Sequence, residues 1–221
     1  MKQEGILNIN KPAEITSYDV IRELKKVYGK VKIGHAGTLD PFATGVLIVA
    51  IGKKYTRQLS TFQKMEKTYK FTIQLGQTTT TLDPEGDVVQ QQAVPDITLE
   101  VIEQCLESFL GDILQQPPIF SAKKINGKRA YKLARSGQQV DLAPAEVSIK
   151  KIECINYNPT LQQIECRVVC SKGTYIRALS RDIALKLGTV GYTIKLIREA
   201  IGDHTIVDAK SLESFSKSIS S

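Results

Sequence analysis

GHAGTLDPFATGVLIVAIG, residues 34–52, sets a glycine-framed polar turn directly before an unbroken apolar run. The run from Gly45 to Gly52 is short and continuously apolar, which predicts a buried strand rather than a helix. The turn is harder to assign. Asp40 followed by Pro41 has the composition of an Asx-type turn. Gly34, Gly37 and Gly45 equally allow a tight bend or a close approach to a ligand, which is how a loop presents a short polar side chain. A metal site is not expected there, because His35 is the neighbouring side chain able to join Asp40 as a ligand, and two ligands do not complete a shell. The stretch has no GK[ST] ending and no Gly-x-Ser-x-Gly elbow, so neither a phosphate loop nor a serine nucleophile is indicated. Asp40 is left as a turn former or a reactive carboxylate.

Working outward, Ile6–Ile9 is a short apolar segment, and TSYDVIRELKKVYG (16–29) has the pattern of a helix. Thr16 is its N-cap, Asp19 follows three residues later, Val20, Leu24 and Val27 form a stripe, and Gly29 closes it. In TYKFTIQLG, Tyr69, Phe71, Ile73 and Leu75 fall on one face of a strand and Lys70, Thr72 and Gln74 on the other. DPEGD (83–87) is a turn, and Leu99, Ile102, Leu106 and Phe109 mark a helix from Thr98 closed by Gly111. VSIKKIECI, QIECRVVCS and TIKLIRE are expected strands around a helix in YIRALSRDIALKLG, where Ile176, Leu179, Ile183 and Leu187 are apolar. Strands and helices mixed without a regular βαβ beat argue for an α+β or mixed-sheet fold and against a Rossmann unit.

Thirty Lys and Arg against 23 Asp and Glu give a formal charge of +7, which favours a polyanionic partner without choosing among DNA, RNA and anionic surfaces. The four cysteines contain no CxxC pair and are expected to be reduced and mostly buried. No segment is long and apolar enough for secretion or for crossing a bilayer, so a cytoplasmic protein is expected. QQPPIFSAKKINGKRAYKLARSGQQV (115–140) resists assignment. It is either a solvated loop or short helix, or a basic flap in which Lys123, Lys124, Lys128, Arg129, Lys132 and Arg135 grip a phosphate backbone and Tyr131 offers a stacking surface.

Five blocks stand in order between residues 7 and 184: LNINKPAEITSYDV, GHAGTLDPFATGVLIV, KTYKFTIQLG, PPIFSAKKINGKRAYKLAR and CSKGTYIRALSRDIA. Together they resemble the pseudouridine synthases that modify uridine in the T-loop of tRNA, and the bacterial tRNA pseudouridine-55 synthase family ahead of its archaeal and eukaryotic guide-RNA relatives. The resemblance implies the α/β (α+β) pseudouridine synthase fold, a mixed, largely antiparallel sheet with flanking helices and a cleft. It implies one catalytic domain over residues 1–221, with a thumb-like, basic RNA-binding insertion at about 121–140. Asp40 then matches the essential nucleophile, attacking the flipped uridine at ring C6 or at ribose C1', and Arg177 the arginine paired with it. Tyr69 matches the aromatic lying against the target base, His35 a contact to the opened T-loop, and Leu196 a wall of the uracil pocket. Lys123, Lys124, Lys128, Arg129 and Tyr131 fall in the thumb.

The chemistry suits these roles. Turning uridine into its C-glycoside isomer needs no redox step and no outside group, so no cofactor or metal is expected. A carboxylate can attack or stabilise an oxocarbenium-like centre while a nearby cation keeps it ionised. Without the resemblance, Arg177 would be an ordinary surface pair, Tyr69 a packing residue and His35 a turn hydrogen bonder. The expected partner is tRNA, chiefly its T-arm, bound by a monomer with no obligate protein partner and no membrane. The 23 residues after Arg198 suggest a short form without the C-terminal RNA-binding domain common among bacterial relatives. The competing reading is a non-catalytic tRNA-binding or tRNA-folding protein. Two positions depart from the family pattern: Glu14 stands where Gly is usual, implying another bend geometry or an altered contact, and Thr80 where Asp is frequent.

Overall fold

Thr16 caps the first helix, α1 (Ser17–Tyr28), as its sequence predicts. The Asp19 N–H donates to the Thr16 hydroxyl at 3.1 Å, and the Thr16 N–H donates to the Asp19 carboxylate at 2.9 Å. This reciprocal box satisfies donors that a helix start leaves open, worth about 1 kcal/mol. Gly29 closes α1 with its N–H on the Lys25 carbonyl. The computed structural model describes residues 3–121, 124–125, 128–129 and 142–216. The chain divides into two units, Met1–Lys70 with Lys195–Ser221, and Phe71–Ile194.

The first unit is built on the apolar run. It holds β1 (Gly5–Lys11), α1, β2 (Ile33–Ala36), β3 (Thr44–Ile51), the short helices α2 (Lys53–Thr56) and α3 (Leu59–Lys64), β13 (His204–Thr205), β14 (Lys210–Ser211) and α6 (Glu213–Ser216). Strands β4 (Lys67–Leu75) and β12 (Gly191–Ile201) run from one unit into the other. The strand order here is β14-β1-β3-β12. Along one edge β3 pairs antiparallel with β1, from Gly5 opposite Ile51 to Lys11 opposite Gly45. Its other edge is shared, antiparallel to β2 over Ile48–Ile51 and parallel to β12 at Thr44 and Gly45. Leu47 and Val49 pack on Val20, Ile21 and Leu24 of α1, while Val46 and Ile48 pack with Ala36 and Ile201 against Phe62 and Met65. Both faces of β3 are covered, which is why its sequence is apolar without alternation. Each such buried side chain contributes about 1.5–3 kcal/mol.

The second unit holds a hairpin of β5 (Gln77–Thr79) and β6 (Val88–Gln91), helix α4 (Leu99–Glu107) and β7 (Gly111–Gln115). The short pair β8 (Lys124–Ile125) and β9 (Lys128–Arg129) follows, then β10 (Ala145–Asn158), β11 (Gln163–Cys170) and helix α5 (Ile176–Lys186). Its strand order is β4-β11-β10-β7, and β10 is antiparallel to both β11 and β7. The fold is thus the expected α/β class, a mixed and largely antiparallel sheet with flanking helices.

Three details differ from expectation. Gly111 does not close α4, which ends at Glu107 with Ser108 as its cap; with φ 88, Gly111 instead opens β7. Leu99 is exposed, because as the first helical residue it precedes the buried stripe of Ile102, Cys105 and Leu106. Thr72 is buried between Phe71 and Ile73, so β4 is covered on both faces there and its alternation is lost.

The four cysteines are free; Cys105, Cys166 and Cys170 are buried. Burial pushes the Cys105, Cys154 and Cys166 thiols up, keeping them protonated and poorly nucleophilic. Among the described residues no helix is long and apolar enough to cross a membrane.

Candidate active site

Asp40 lies in the first unit on the loop that joins β2 to β3, and the chain around it is held by its main-chain atoms. The Asp40 carbonyl accepts the Ala43 N–H at 3.1 Å, so the expected turn is present. On one side of Asp40, the buried Ser17 hydroxyl accepts the Leu39 N–H at 2.9 Å and donates to the Leu39 carbonyl at 3.2 Å. On the other, the Pro41 carbonyl accepts the Glu14 N–H at 2.8 Å and the Lys11 ammonium at 3.1 Å. Lys11 is fully buried and donates also to the Pro12 and Ile15 carbonyls, both at 2.8 Å. At the loop's ends, Arg198 of β12 donates from Nε to the Val46 carbonyl at 2.7 Å and from Nη2 to the Gly37 carbonyl at 3.0 Å.

Gly45 explains part of the glycine frame. Its φ is 105, and a Cβ there would lie 2.3 Å from the Arg198 carbonyl oxygen, so no larger residue fits between β3 and β12.

Glu14 resolves one departure from the family pattern. It has φ 66, the left-handed conformation that glycine adopts without cost, so the bend is made in glycine's own conformation by another residue. Glu14 is exposed. Glu14→Gly is therefore expected to stabilise the chain by about 0.5–1 kcal/mol, the relief of left-handed strain less the added unfolded-state entropy. Thermal unfolding should show a midpoint higher by about 1–4 °C; a lower midpoint would mean that the Glu14 side chain contributes more than its backbone costs. Thr80, the second departure, is exposed.

In the second unit Arg177 is not at a surface pair. It is the second residue of α5, and its Nη1 donates to the Asp83 carboxylate at 2.9 Å and to the Thr81 carbonyl at 2.7 Å, while Nη2 donates to the Phe120 carbonyl at 2.8 Å. The ion pair is almost fully enclosed, the two side chains being 6% and 3% exposed. Asp83 is fixed in turn by the Thr81 hydroxyl and by the Glu85 N–H at 3.0 Å, both on Oδ1. Its backbone N–H donates to the Thr79 hydroxyl at 3.1 Å, which donates to the Asp83 carbonyl at 2.7 Å. The start of α5 is set by buried Gln115, whose amide accepts the Tyr175 N–H at 2.8 Å and donates to the Tyr175 carbonyl at 3.1 Å.

The sequence-predicted residues are distributed as follows. Asp40, His35 on β2, Tyr69 on β4 and Leu196 on β12 belong to the first unit, and Arg177 to the second. Leu196 is buried, while His35, Asp40 and Tyr69 are partly exposed. Lys123 and Tyr131 lie outside the described residues, as does most of the expected thumb. Lys124 falls on β8 and Lys128 and Arg129 on β9. Lys11, Ser17, Asp83, Gln115 and Arg198 received no role from the sequence. A signal existed for two of them: Arg198 shares strand parity with buried Leu196, and Lys11 with buried Ile9, so each places a charge at an inward position.

Residues 25–176 match the family described as TruB family pseudouridylate synthase, N-terminal domain. The chain belongs to the TruB family. It is 44% identical over 213 residues to the tRNA pseudouridine synthase B of Caldanaerobacter subterraneus subsp. tengcongensis, covering 96% of this chain and 74% of that one. To the tRNA pseudouridine synthase B of Prochlorococcus marinus strain NATL2A it is 48% identical over 197 residues, 89% of this chain and 62% of the other. Among solved structures, a chain of an H/ACA ribonucleoprotein bound to a substrate RNA containing 2'-deoxyuridine superposes with a TM-score of 0.70 at 25% identity, over 95% of this chain and 51% of that chain. The chain thus spans about half to three quarters of the length of these similar proteins. TruB membership makes it an isomerase by class.

Proposed function

We propose that the chain converts the T-loop uridine at position 55 of tRNA to pseudouridine, with Asp40 as nucleophile. The observation that carries this reading is the Asp40 loop itself, where buried Ser17, Lys11 and Arg198 grip main-chain atoms on both sides of one carboxylate-bearing residue. A turn needed only for chain reversal does not require such anchoring, whereas a nucleophile must be held within a fraction of an ångström of its reacting atom. The buried thiols, raised by desolvation, offer no competing nucleophile.

In the proposed reaction the uridine is extruded from its loop against Tyr69, with Leu196 forming an apolar wall and His35 touching the opened T-loop. The Asp40 carboxylate adds to the nucleotide at C6 or C1', the N1–C1' bond breaks, the base turns, C5 bonds to C1', and the bond to Asp40 breaks to return the free carboxylate. The proton lost from C5 is balanced by the one gained at N1, so substrate and product are isomers and no cofactor takes part. The family resemblance assigns Arg177 as the cation that favours the ionised nucleophile. The protein acts as a cytoplasmic monomer on the T-arm.

Incubation with an unmodified tRNA transcript, followed by base-specific chemical mapping, should reveal pseudouridine at position 55. Tight binding without product would transfer the reading to a tRNA-binding or tRNA-folding protein. The basic insertion supplies a separate prediction. Neutralising Lys123, Lys124, Lys128 and Arg129 together should weaken tRNA binding and reduce the slope of log K against log salt by up to about 3, because fewer counterions are released. An unchanged slope would assign these charges to ordinary solvated surface.

A further inference from the structure

We infer that Arg198 is a positioning residue for Asp40, a buried guanidinium that ties together the two ends of the nucleophile's loop. The inference rests on the proposed role of Asp40 and extends it to a residue of β12 that touches no reacting atom.

Arg198 is 1% exposed and among the largest fully buried side chains. Among the described residues it makes no ion pair. A cation enclosed in this way costs several kcal/mol in lost hydration, and an apolar side chain could fill the same volume without that cost. The guanidinium's hydrogen bonds offset that cost. Nε holds the Val46 carbonyl where the loop enters β3, and Nη2 holds the Gly37 carbonyl where it leaves β2. Nη1 lies 3.5 Å from the point where a Gly37 Cβ would stand, so the fork is closed over that glycine. The same residue grips the loop through its backbone, since Arg198 is in parallel register with Gly45 and packs against it more closely than any side chain permits.

The surrounding sheet does not depend on this grip. Strand β3 is paired with β1 from Gly45 to Ile51 and with β2 from Ile48 to Ile51. Between Ala36 and Thr44 the loop has no strand ladder, and there its shape depends on turn and side-chain hydrogen bonds. Loss of the guanidinium should loosen the loop and leave the strands in place. Lysine cannot substitute, because a single ammonium on a flexible stem lacks the planar fork that spans two carbonyls.

The test compares the full chain with Arg198→Lys and Arg198→Met. Both are expected to lose about 10²-fold in single-turnover rate, the effect of a misplacement of about 1 Å, while tRNA affinity changes by less than about twofold. In hydrogen exchange, the Leu39 and Ala43 amides should lose protection while those of β1 and the α1 interior keep theirs. In Arg198→Ala, added guanidinium should restore activity and methylammonium should not. Full activity in Arg198→Lys overturns the inference. So does a rate loss matched by an equal loss of tRNA affinity, or exchange that accelerates throughout β1 and β3, which would make Arg198 a residue of the general fold. If the unaltered chain forms no pseudouridine, the proposed function fails, and hydrogen exchange alone decides whether Arg198 holds the loop.

Discussion

Asp40→Asn is expected to lower single-turnover pseudouridine formation by on the order of 10⁴-fold or more, while tRNA affinity changes by less than about threefold. The substitution keeps the size of the side chain and removes its charge and nucleophilicity. The loop should keep its course, because Ser17, Lys11, Glu14 and Arg198 hold carbonyls and amides of other residues and none of these bonds uses the Asp40 carboxylate. Rapid-quench assays with enzyme in excess isolate the chemical step from product release. Near-normal product formation by a folded variant, shown by mass to contain asparagine, would remove Asp40 from the mechanism.

The second large effect concerns the Asp83–Arg177 pair. Removing the carboxylate in Asp83→Ala takes one enclosed ion-pair partner from the Arg177 guanidinium, and breaking a buried pair in this way costs about 3–5 kcal/mol. For a chain of this length the unfolding midpoint should fall by roughly 10 °C. Replacing both partners together, Asp83→Leu with Arg177→Met, should recover much of that stability, because an apolar pair of similar volume avoids the desolvation penalty. Activity should not return with it, since Arg177 has a proposed role in the chemistry that methionine cannot fill. Denaturant unfolding of the single and double variants gives the coupling between the two residues. A loss below about 1 kcal/mol in Asp83→Ala would show that the other partners of Arg177, the Thr81 and Phe120 carbonyls among them, suffice to hold it.

Features legible in the sequence differ physically from those that were not. Features governed by local chemistry were legible: the Thr16–Asp19 box, the Gly29 cap and the buried strand at Thr44–Ile51 all follow from patterns a few residues long. Ordered blocks likewise pointed to the family. The contacts that support the site were not legible, because they join residues far apart in the chain. Asp83 looked like one residue of a DPEG turn, and its pairing with Arg177 depends on α5 being brought to that turn. Ser17 looked like an ordinary first helical residue, yet it holds both main-chain groups of Leu39. Thr72 was misplaced for a related reason, since alternation predicts one wet face and β4 has both faces covered at that point.

The way the Asp40 loop is anchored also bears on which of its positions can diverge. Ser17, Lys11 and Arg198 recognise peptide groups, which every amino acid carries, and so impose little on the side chains of the residues they hold. Steric limits fall instead on Gly45 and on buried Leu39 and Ala43. Thr38 is exposed and Phe42 partly so. These two positions can be randomised while the course of the main chain is retained, so the loop separates the residues that fix its shape from those open to drift. A library at Thr38 and Phe42 would then alter the surface beside Asp40, the proposed nucleophile, and with it substrate preference, without rebuilding the scaffold that holds the loop.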